Sequence, residues 1–288
     1  MTRTLYTRRE FGGLAAAALP VLRHLPGQAR PIQIGYCTSL KNVPSAKAAG
    51  FDYVELATTE VAALADEDFT VAARTLAATG LPTPVSNLFL PATLKVTGPE
   101  ANPDAQSTYV ARAFERVAQL GVRIVVFGSG GARRVPDGVA RGAAFGQLVD
   151  FGRRIAPLAR ARGITVAVEP LRREETNIIN SAAEGLELVE AVGDPAFQLM
   201  VDFYHLASEH ENPDIIVRAR GRLRHVHMAN PKGRLFPLAW DEFDYQPFFT
   251  NLGRIGYAGR ISIEASTQDL NTDAPRAIAL LRQHTRGN

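Results

Sequence analysis

Eight short apolar runs, separated by longer segments of helical character, limit most strongly what this chain can fold into. The runs lie at residues 32–37, 53–57, 83–89, 123–128, 164–169, 197–202, 223–228 and 260–265. Between two of them, the segment 108–121 repeats Val110, Phe114, Val117 and Leu120 at helical spacing. Strands that alternate with helices indicate parallel βα units. Eight such units predict a closed (β/α)₈ barrel, with an open doubly wound sheet as the alternative.

Residues 30–288 are predicted to form one α/β domain, a single (β/α)₈ TIM barrel. No low-complexity linker divides them, and 138–163 is predicted to be one long helix. Gly121, Gly163 and Gly193 follow helical segments, where a left-handed residue commonly ends a helix. A hydrophobic fraction of 46% and a charged fraction of 21% are ordinary for a globular domain.

Residues 1–29 are similar to an export signal and are not expected to belong to the barrel. They have a charged start, a weakly apolar run over 11–22, and Gly27 and Ala29 at small-residue cleavage spacing. The run is too short to span a bilayer, so no stable membrane insertion is expected. The stretch 7–11, TRREF, resembles the twin-arginine motif of proteins exported in the folded state, which predicts a periplasmic or exported protein. The alternative is a helical tail with a chance arginine pair.

The charge distribution argues against a nucleic-acid partner. The chain has a net charge of +3, and residues 1–29, with four arginines and one glutamate, account for all of it. The neutral remainder is a poor binder of phosphate backbones. The single cysteine, Cys37, leaves no intrachain disulfide. Because it ends an apolar run, it is predicted to be a small buried core residue without a catalytic role.

Ionisable residues stand at or near the ends of the last four runs. Side chains alternate across a strand, so the apolar residues of each run take the face toward the helices. This alternation directs a second set of side chains toward the barrel axis: Glu169, Asp202, Glu264 and the pair His225 and His227. They are separated by about one βα repeat each, and we expect them to meet at the carboxyl-terminal rim, where barrel enzymes carry their chemistry.

Carboxylates that converge on one point repel one another, and a divalent cation relieves this repulsion. Carboxylate and imidazole ligands together suit Mn²⁺, Co²⁺, Zn²⁺ or Mg²⁺. Taken singly, each glutamate is compatible with a helix cap or a salt bridge, and each histidine with a hydrogen-bonded core residue. Four such residues on adjacent strands instead favour one divalent metal ion at the rim.

Four segments resemble the xylose-isomerase-like barrels, in particular the ketose 3-epimerase and hydroxypyruvate-isomerase-like branch. They are VEPLRREETNIIN at 168–180, VDFYH at 201–205, HVHMANPKGR at 225–234 and GYAGRISIEAS at 256–266. The resemblance implies a metal-dependent sugar isomerase or epimerase, with Mn²⁺ as the first choice of ion and a small sugar or keto-sugar as substrate. By analogy with this family, a dimer or tetramer is also expected.

The resemblance assigns the metal ligands. It implies that Glu169, Asp202, His227 and Glu264 bind the ion, and that Glu169 and Glu264 also act as acid and base. His225 is then implied to lie one layer deeper, as a hydrogen-bonding support.

The resemblance also implies which residues orient the substrate. His205 and Glu175 take this role, although His205 is also compatible with a cap of the helix that follows it. Relatives of this kind often carry an arginine six residues after the ligand histidine. Here that position is Gly233, flanked by Lys232 and Arg234, so Arg234 is the candidate for the substrate contact.

Two residues and one loop complete the candidate site. Glu55 and Asn87 end early strands on the inward face and are predicted to line the pocket and bind substrate, with a structural role as the alternative. The loop GSGGARRVP at 128–136 lacks the dinucleotide fingerprint and the P-loop lysine. It is predicted to be a flexible rim loop in which Arg133 or Arg134 contacts an acidic group, or forms a solvated charge pair.

The implied chemistry is proton abstraction next to a carbonyl through a metal-stabilised enediolate. Two alternatives stay open: a metal-dependent 3-keto-glycoside lyase, which acts by β-elimination on the same scaffold, and a non-enzymatic carbohydrate-binding protein. A three-zinc abasic-site endonuclease is disfavoured. It needs histidines on early strands, and the first histidine after residue 29 is His205.

Overall fold

The computed structural model describes residues 31–285 and contains a closed barrel of eight parallel strands. The strands are β1 Gln33–Thr38, β2 Tyr53–Ala57, β3 Val85–Asn87, β4 Ile124–Phe127, β5 Thr165–Val168, β6 Phe197–Asp202, β7 Leu223–Met228 and β8 Arg260–Ile263. Each strand pairs with the next along the chain, and β8 closes the barrel against β1. The predicted (β/α)₈ architecture is confirmed, and the open sheet is excluded.

Helices surround the barrel and connect its strands. They are α1 Val43–Ala48, α2 Thr58–Ala63, α3 Asp66–Thr79, α4 Pro103–Gln119, α5 Gly130–Arg133, α6 Arg141–Arg160, α7 Ala182–Val192, α8 Phe203–Ser208, α9 Ile215–Arg218, α10 Gln246–Arg254 and α11 Leu270–His284. The long helix predicted at 138–163 is α6, which is shorter at both ends. Gly163, with φ of 64°, turns the chain from α6 toward β5, as expected of a left-handed residue after a helix.

The alternation of side chains along the strands separates two apolar layers. Inside the barrel lies a small cluster formed by Tyr53, Val85, Val126, Ala167 and Met200. Between the sheet and the helices lies the main core, whose strand residues include Val166, Val168, Phe197, Leu199, Val201, Ile261 and Ile263. The predicted assignment of strand faces is therefore confirmed, and the barrel is filled below its rim.

The predicted export signal at 1–29 and the domain boundary at residue 30 lie outside the described residues and stay predictions. Within 31–285, no helix combines the length and the apolar character needed to cross a bilayer.

The barrel interior leaves no room beside Gly35. A Cβ at this position would lie 2.2 Å from Cε2 of Tyr53, whose hydroxyl is held 2.7 Å from Ser262 Oγ. We expect Gly35→Ala to lower the free energy of unfolding by about 1–3 kcal/mol, the usual cost of overpacking a core. Gly146→Ala is the control, because nothing lies within 4 Å of a Cβ in the middle of α6. It should raise the free energy of unfolding by up to about 1 kcal/mol. Urea unfolding measures the stability of both variants. A Gly35→Ala protein as stable as the wild type would show that the Tyr53 ring moves aside.

Candidate metal centre

Four ionisable side chains meet at the carboxyl-terminal mouth of the barrel. Glu169 directly follows β5, and Asp202 ends β6. His227 is the penultimate residue of β7, and Glu264 directly follows β8. The strand register places Asp202 opposite His227. One ligand atom from each of the four residues lies within 4.8 Å of the other three, so the convergence expected from the sequence is present.

Three of the atoms that face one another in this cluster lack hydrogen-bond partners among the described residues. Among the described residues, Glu169 Oε1, Asp202 Oδ2 and His227 Nδ1 are buried without a partner. His227 Nδ1 lies 3.3 Å from Glu169 Oε1 and 3.3 Å from Glu264 Oε2. Each unpaired buried polar atom costs about 1–3 kcal/mol, a cost that a cation between them would remove. Three carboxylates and an imidazole are a ligand set that fits a divalent cation such as Mn²⁺.

The two oxygens of Asp202 have different surroundings. Oδ1 accepts a hydrogen bond from the backbone N–H of Tyr204 at 2.8 Å and caps the amino end of α8. Oδ2 has no hydrogen-bond partner within residues 31–285 and faces the cluster. Because Asp202 is the cap, His205 lies inside α8 and does not serve as its cap.

Burial and neighbouring charges move the pKa values of the three carboxylates in different directions. Burial raises the pKa of Asp202 to about 7, and Glu264 adds to this rise against the opposing charge of Arg234. Burial is also the main cause that raises the pKa of Glu169. Burial acts the same way on Glu264, but His227 and Arg234 outweigh it and hold the pKa of this carboxyl at about 2. A further positive charge in the cluster would therefore stabilise the ionised forms of Asp202 and Glu169.

Beneath the cluster, Glu55 contacts two histidines. Its Oε1 lies 3.0 Å from His227 Nε2, and its Oε2 lies 2.9 Å from His225 Nε2. Ser262 donates a hydrogen bond from its hydroxyl to Oε2 at 2.5 Å. The prediction that Glu55 lines the pocket and binds substrate is wrong, because its side chain is 0% exposed below the rim. His225 is also fully buried one layer deeper than His227, as expected.

Arg234 lies over the mouth of the cluster. Its Nη2 is 2.5 Å from Glu264 Oε2, and its Nη1 is 3.4 Å from Glu175 Oε1. The guanidinium lies 4.7 Å from the centre of the Tyr204 ring. Arg234 reaches the site although Gly233 occupies the position expected for an arginine. Both residues have left-handed backbone conformations, with φ of 54° and 82°.

His205 directs one ring nitrogen toward the cluster. The backbone N–H of Arg172 donates to its Nδ1 at 3.3 Å, so the proton of the neutral ring is on Nε2. This Nε2 lies 3.7 Å from Asp202 Oδ2 and 4.0 Å from Glu175 Oε2. Burial lowers the pKa of His205 to about 3, and the positive charge of Arg234 adds to the effect. The neutral ring therefore offers an N–H donor to an oxygen in the site.

A cleft of about 390 Å³ opens beside Glu264. Asn87 lines it, as predicted, and also donates from Nδ2 to Glu264 Oε1 at 3.0 Å. Leu88 is 53% exposed at the cleft and has a left-handed φ of 45°. The cleft extends over the ends of β1, β2 and β8, where its lining consists of Cys37, Thr38, Ser39, Ala57, Glu60, Ala265 and Ser266.

Cys37 lines this cleft and is not part of the apolar core, contrary to the sequence prediction. It is half-buried, and its Sγ lies 3.9 Å from His227 Nε2. The register pairs Cys37 with Glu55 of β2. The sequence did contain a signal for this position. Ile34 and Tyr36 pack on the outer face of β1, so the alternation of side chains directs Cys37 toward the barrel axis.

The glycine-rich loop at 128–136 follows the carboxyl end of β4 and contains α5. Arg133 is fully buried and donates to the carbonyl oxygens of Phe127 at 3.0 Å and of Glu169 at 2.6 Å. Arg134 donates to the carbonyl oxygen of Glu175 at 3.0 Å. For Arg133 the predictions of an acidic contact and of a solvated pair are wrong, because its side chain is buried against backbone oxygens. Arg134 is exposed, and for this residue they stay predictions. Every residue has a backbone carbonyl oxygen, so the sequence does not show which of them accept these hydrogen bonds.

The model of the xylose isomerase-like TIM barrel family matches residues 43–284. The chain therefore belongs to this family, as its sequence motifs indicated. L-ribulose 3-epimerase from Mesorhizobium japonicum is 30% identical to it over 118 residues, which is 41% of this chain. The match covers 39% of the length of that relative, so the chain spans less than half of it.

Solved structures share the fold over most of the chain. A crystal structure of D-psicose 3-epimerase in the presence of D-fructose has a TM-score of 0.78 at 19% identity, covering 89% of this chain and 100% of that one. The 3-keto-D-glucoside 4-epimerase from E. coli has a TM-score of 0.75 at 21% identity, covering 88% and 99%. At these identities the likeness establishes the fold alone.

Gly128 leaves room for the carboxylate of Glu169. A Cβ at this position would lie 2.3 Å from Glu169 Oε2, and the flexible end of that side chain would move away. We expect Gly128→Ala to weaken Mn²⁺ binding by about 10- to 100-fold, the usual effect of disturbing a ligand's support. Thermal unfolding of the metal-free protein should change little. Calorimetric titration with Mn²⁺ measures the affinity, with Gly146→Ala as the control. An unchanged affinity would show that Glu169 is not a ligand in this position.

Proposed function

We propose that this chain is a divalent-cation-dependent sugar epimerase or isomerase. The observation that carries the proposal is the cluster of four side chains that borders an open cleft. Three of its facing atoms, Glu169 Oε1, Asp202 Oδ2 and His227 Nδ1, lack hydrogen-bond partners among the described residues. Family membership and the L-ribulose 3-epimerase relative support a sugar substrate. Because the match spans less than half of that relative, the activity and the substrate are both part of the proposal.

Glu169, Asp202, His227 and Glu264 would hold one divalent cation, for which we propose Mn²⁺ ahead of Co²⁺, Mg²⁺ and Zn²⁺. Such a cation would polarise the substrate carbonyl and acidify the neighbouring C–H bond.

Glu169 and Glu264 are proposed to move the proton. They follow β5 and β8, which stand on different walls of the barrel, so their carboxylates approach a substrate from different sides. One removes the proton next to the carbonyl, and the other returns a proton to the opposite face, which epimerises the carbon. Return to the neighbouring carbon interconverts aldose and ketose. Hydrogen bonds from Asn87 and Arg234 fix the Glu264 carboxylate, and Arg133 fixes the backbone of Glu169.

His205, Glu175 and Arg234 are proposed to orient the sugar. The Nε2–H of His205 is the donor available to a substrate oxygen, and Glu175 is a carboxylate acceptor at the mouth. Arg234 bridges Glu175 and Glu264, so substrate hydroxyls would compete for its N–H groups.

Glu264→Gln should abolish proton exchange and leave the fold intact. The amide keeps the shape of the side chain but cannot take up or release a proton, and acid–base groups of this kind contribute about 10²–10⁴-fold to rate. Incorporation of solvent deuterium into a panel of ketoses, followed by NMR in the presence of Mn²⁺, measures the exchange.

Glu174→Gln is the matched control, because it removes the same charge from a side chain that is 69% exposed. It should exchange at the wild-type rate. Cation content is measured for each variant, which separates loss of the cation from loss of proton transfer. Retained exchange in Glu264→Gln would remove this residue from the acid–base pair. A wild-type protein that binds no divalent cation would favour a carbohydrate-binding protein without catalysis.

An exposed apolar side chain in the cleft favours a second candidate, β-elimination from 3-keto-glycosides. Leu88 is 53% exposed and lines the cleft of about 390 Å³, so a second group on the sugar would have an apolar side chain to contact. The enolate formed by proton abstraction would expel such a group from the β-carbon.

Leu88→Ser should affect substituted and free sugars differently. We expect the KM for a 4-nitrophenyl 3-keto-glucoside to rise by about tenfold, because an apolar contact is lost. The KM for a free ketose should not change. Val71→Ser, which alters another exposed apolar side chain, is the control. Release of 4-nitrophenol measures the elimination, and equal effects on both substrates would count against this candidate.

We also propose export, which the twin-arginine-like segment at 1–29 supports. A homodimer or homotetramer is proposed by analogy with the family alone.

A further inference from the structure

We propose that Glu55 positions His227 so that Nδ1, and not Nε2, of this histidine faces the cation site. The inference rests on the proposed function in one respect, namely that a divalent cation binds at the four-residue cluster. Glu55 lies below that cluster and outside the cleft lining. It is therefore a positioning residue and not a catalytic one.

The Glu55 side chain crosses the interior of the barrel. It starts from β2 and reaches Nε2 of His227 at 3.0 Å and Nε2 of His225 at 2.9 Å, both on β7. Two strands, β1 and β8, separate β2 from β7 in the closed order. All three side chains are 0% exposed. One buried carboxylate thus ties together two histidines from a distant strand.

The chemistry of a carboxylate decides which nitrogens carry the protons. An ionised carboxylate only accepts hydrogen bonds, so Nε2 of both histidines must be protonated to bond to Glu55. A histidine that binds a cation is neutral, and in the neutral His227 ring the lone pair is then on Nδ1. That atom faces Glu169 Oε1 and Glu264 Oε2 and has no hydrogen-bond partner among the described residues. Metal-binding histidines commonly donate their other N–H to a carboxylate in this way.

Further hydrogen bonds hold Glu55 in place. Ser262 donates to Oε2 at 2.5 Å, which leaves the hydroxyl of Tyr53 to donate to Ser262 Oγ at 2.7 Å. His225 and Ser262 both bind Oε2, so Oε1 is left for His227. The two histidines of the HVH segment therefore have different roles, since His227 faces the cation site and His225 holds the carboxylate that orients it.

Glu55 disfavours a different arrangement, in which a cation binds between Cys37 and His227 Nε2. Its Sγ lies 3.9 Å from His227 Nε2, and Cys37, His227 and Glu264 also present three ligand atoms within 4.8 Å of one another. A thiophilic cation such as Zn²⁺ would be drawn to a sulfur and nitrogen pair of this kind. The hydrogen bond to Glu55 occupies His227 Nε2, the nitrogen that lies 3.9 Å from the sulfur.

Glu55→Gln tests the inference by Mn²⁺ titration of the full chain. We expect the dissociation constant to rise by about 10- to 100-fold, the range found when the support of a metal ligand is lost. Glu60→Gln is the matched control. Glu60 is a carboxylate of the neighbouring cleft that bonds to the backbone N–H of Leu40 and to neither histidine. Its removal should leave the dissociation constant within about twofold of the wild-type value.

A second measurement on the wild-type protein does not depend on the folding of a variant. In ¹⁵N NMR of the Zn²⁺-loaded protein, we expect His227 to carry its proton on Nε2 and to bind the ion through Nδ1. A proton on Nδ1, with the ion on Nε2 beside Cys37, would overturn the inference. So would a Glu55→Gln affinity equal to that of the wild type. If the wild-type protein binds no Mn²⁺ at all, the proposed function itself fails, and this inference fails with it.

Discussion

Electrostatic repulsion among three carboxylates at one mouth of a closed barrel is the constraint on which this site depends. The positively charged side chains of the protein offset this repulsion only in part. Arg234 and His227 keep Glu264 ionised, whereas burial raises the pKa of Asp202 to about 7. The facing atoms of Glu169, Asp202 and His227 have no hydrogen-bond partner within residues 31–285. A divalent cation at their centre would satisfy both the charge and the unpaired atoms.

Closure of the barrel produces this crowding and keeps it from relaxing. The four side chains of the cluster stand on or next to four consecutive strands, whose parallel pairing fixes the spacing of the side chains. Arg133 holds the backbone carbonyl of Glu169, and the missing side chain of Gly128 leaves space for the Glu169 carboxylate. Ligands on strands with such supports are held more rigidly than ligands on loops.

The strand faces could be predicted from the sequence because the period of two is a local property. It placed Glu169, Asp202 and Glu264 inside the barrel without knowledge of any contact. The depth of an inward residue depends instead on where its strand ends and on the stagger of the strands around the barrel. Glu55 lies two residues before the end of β2, whereas Glu169 follows the end of β5. This difference in depth made Glu55 a support below the rim and not a pocket residue.

Backbone contacts set a second limit on prediction. A charged residue in a glycine-rich loop is usually exposed, but Arg133 is fully buried because backbone carbonyl oxygens accept its hydrogen bonds. Arg234 illustrates the same limit, since a left-handed conformation is expected of Gly233 but not of the arginine that follows it. Chain spacing alone therefore identified the neighbourhood of the guanidinium but not its contacts.

The position of a bound cation tests the central claim most directly. Crystals grown with Mn²⁺ would locate the ion by its anomalous scattering. The arrangement of these four side chains predicts one peak per chain at about 2 Å from Glu169 Oε1, Asp202 Oδ2, His227 Nδ1 and Glu264 Oε2. A peak held by other residues, or no peak at saturating Mn²⁺, would contradict it.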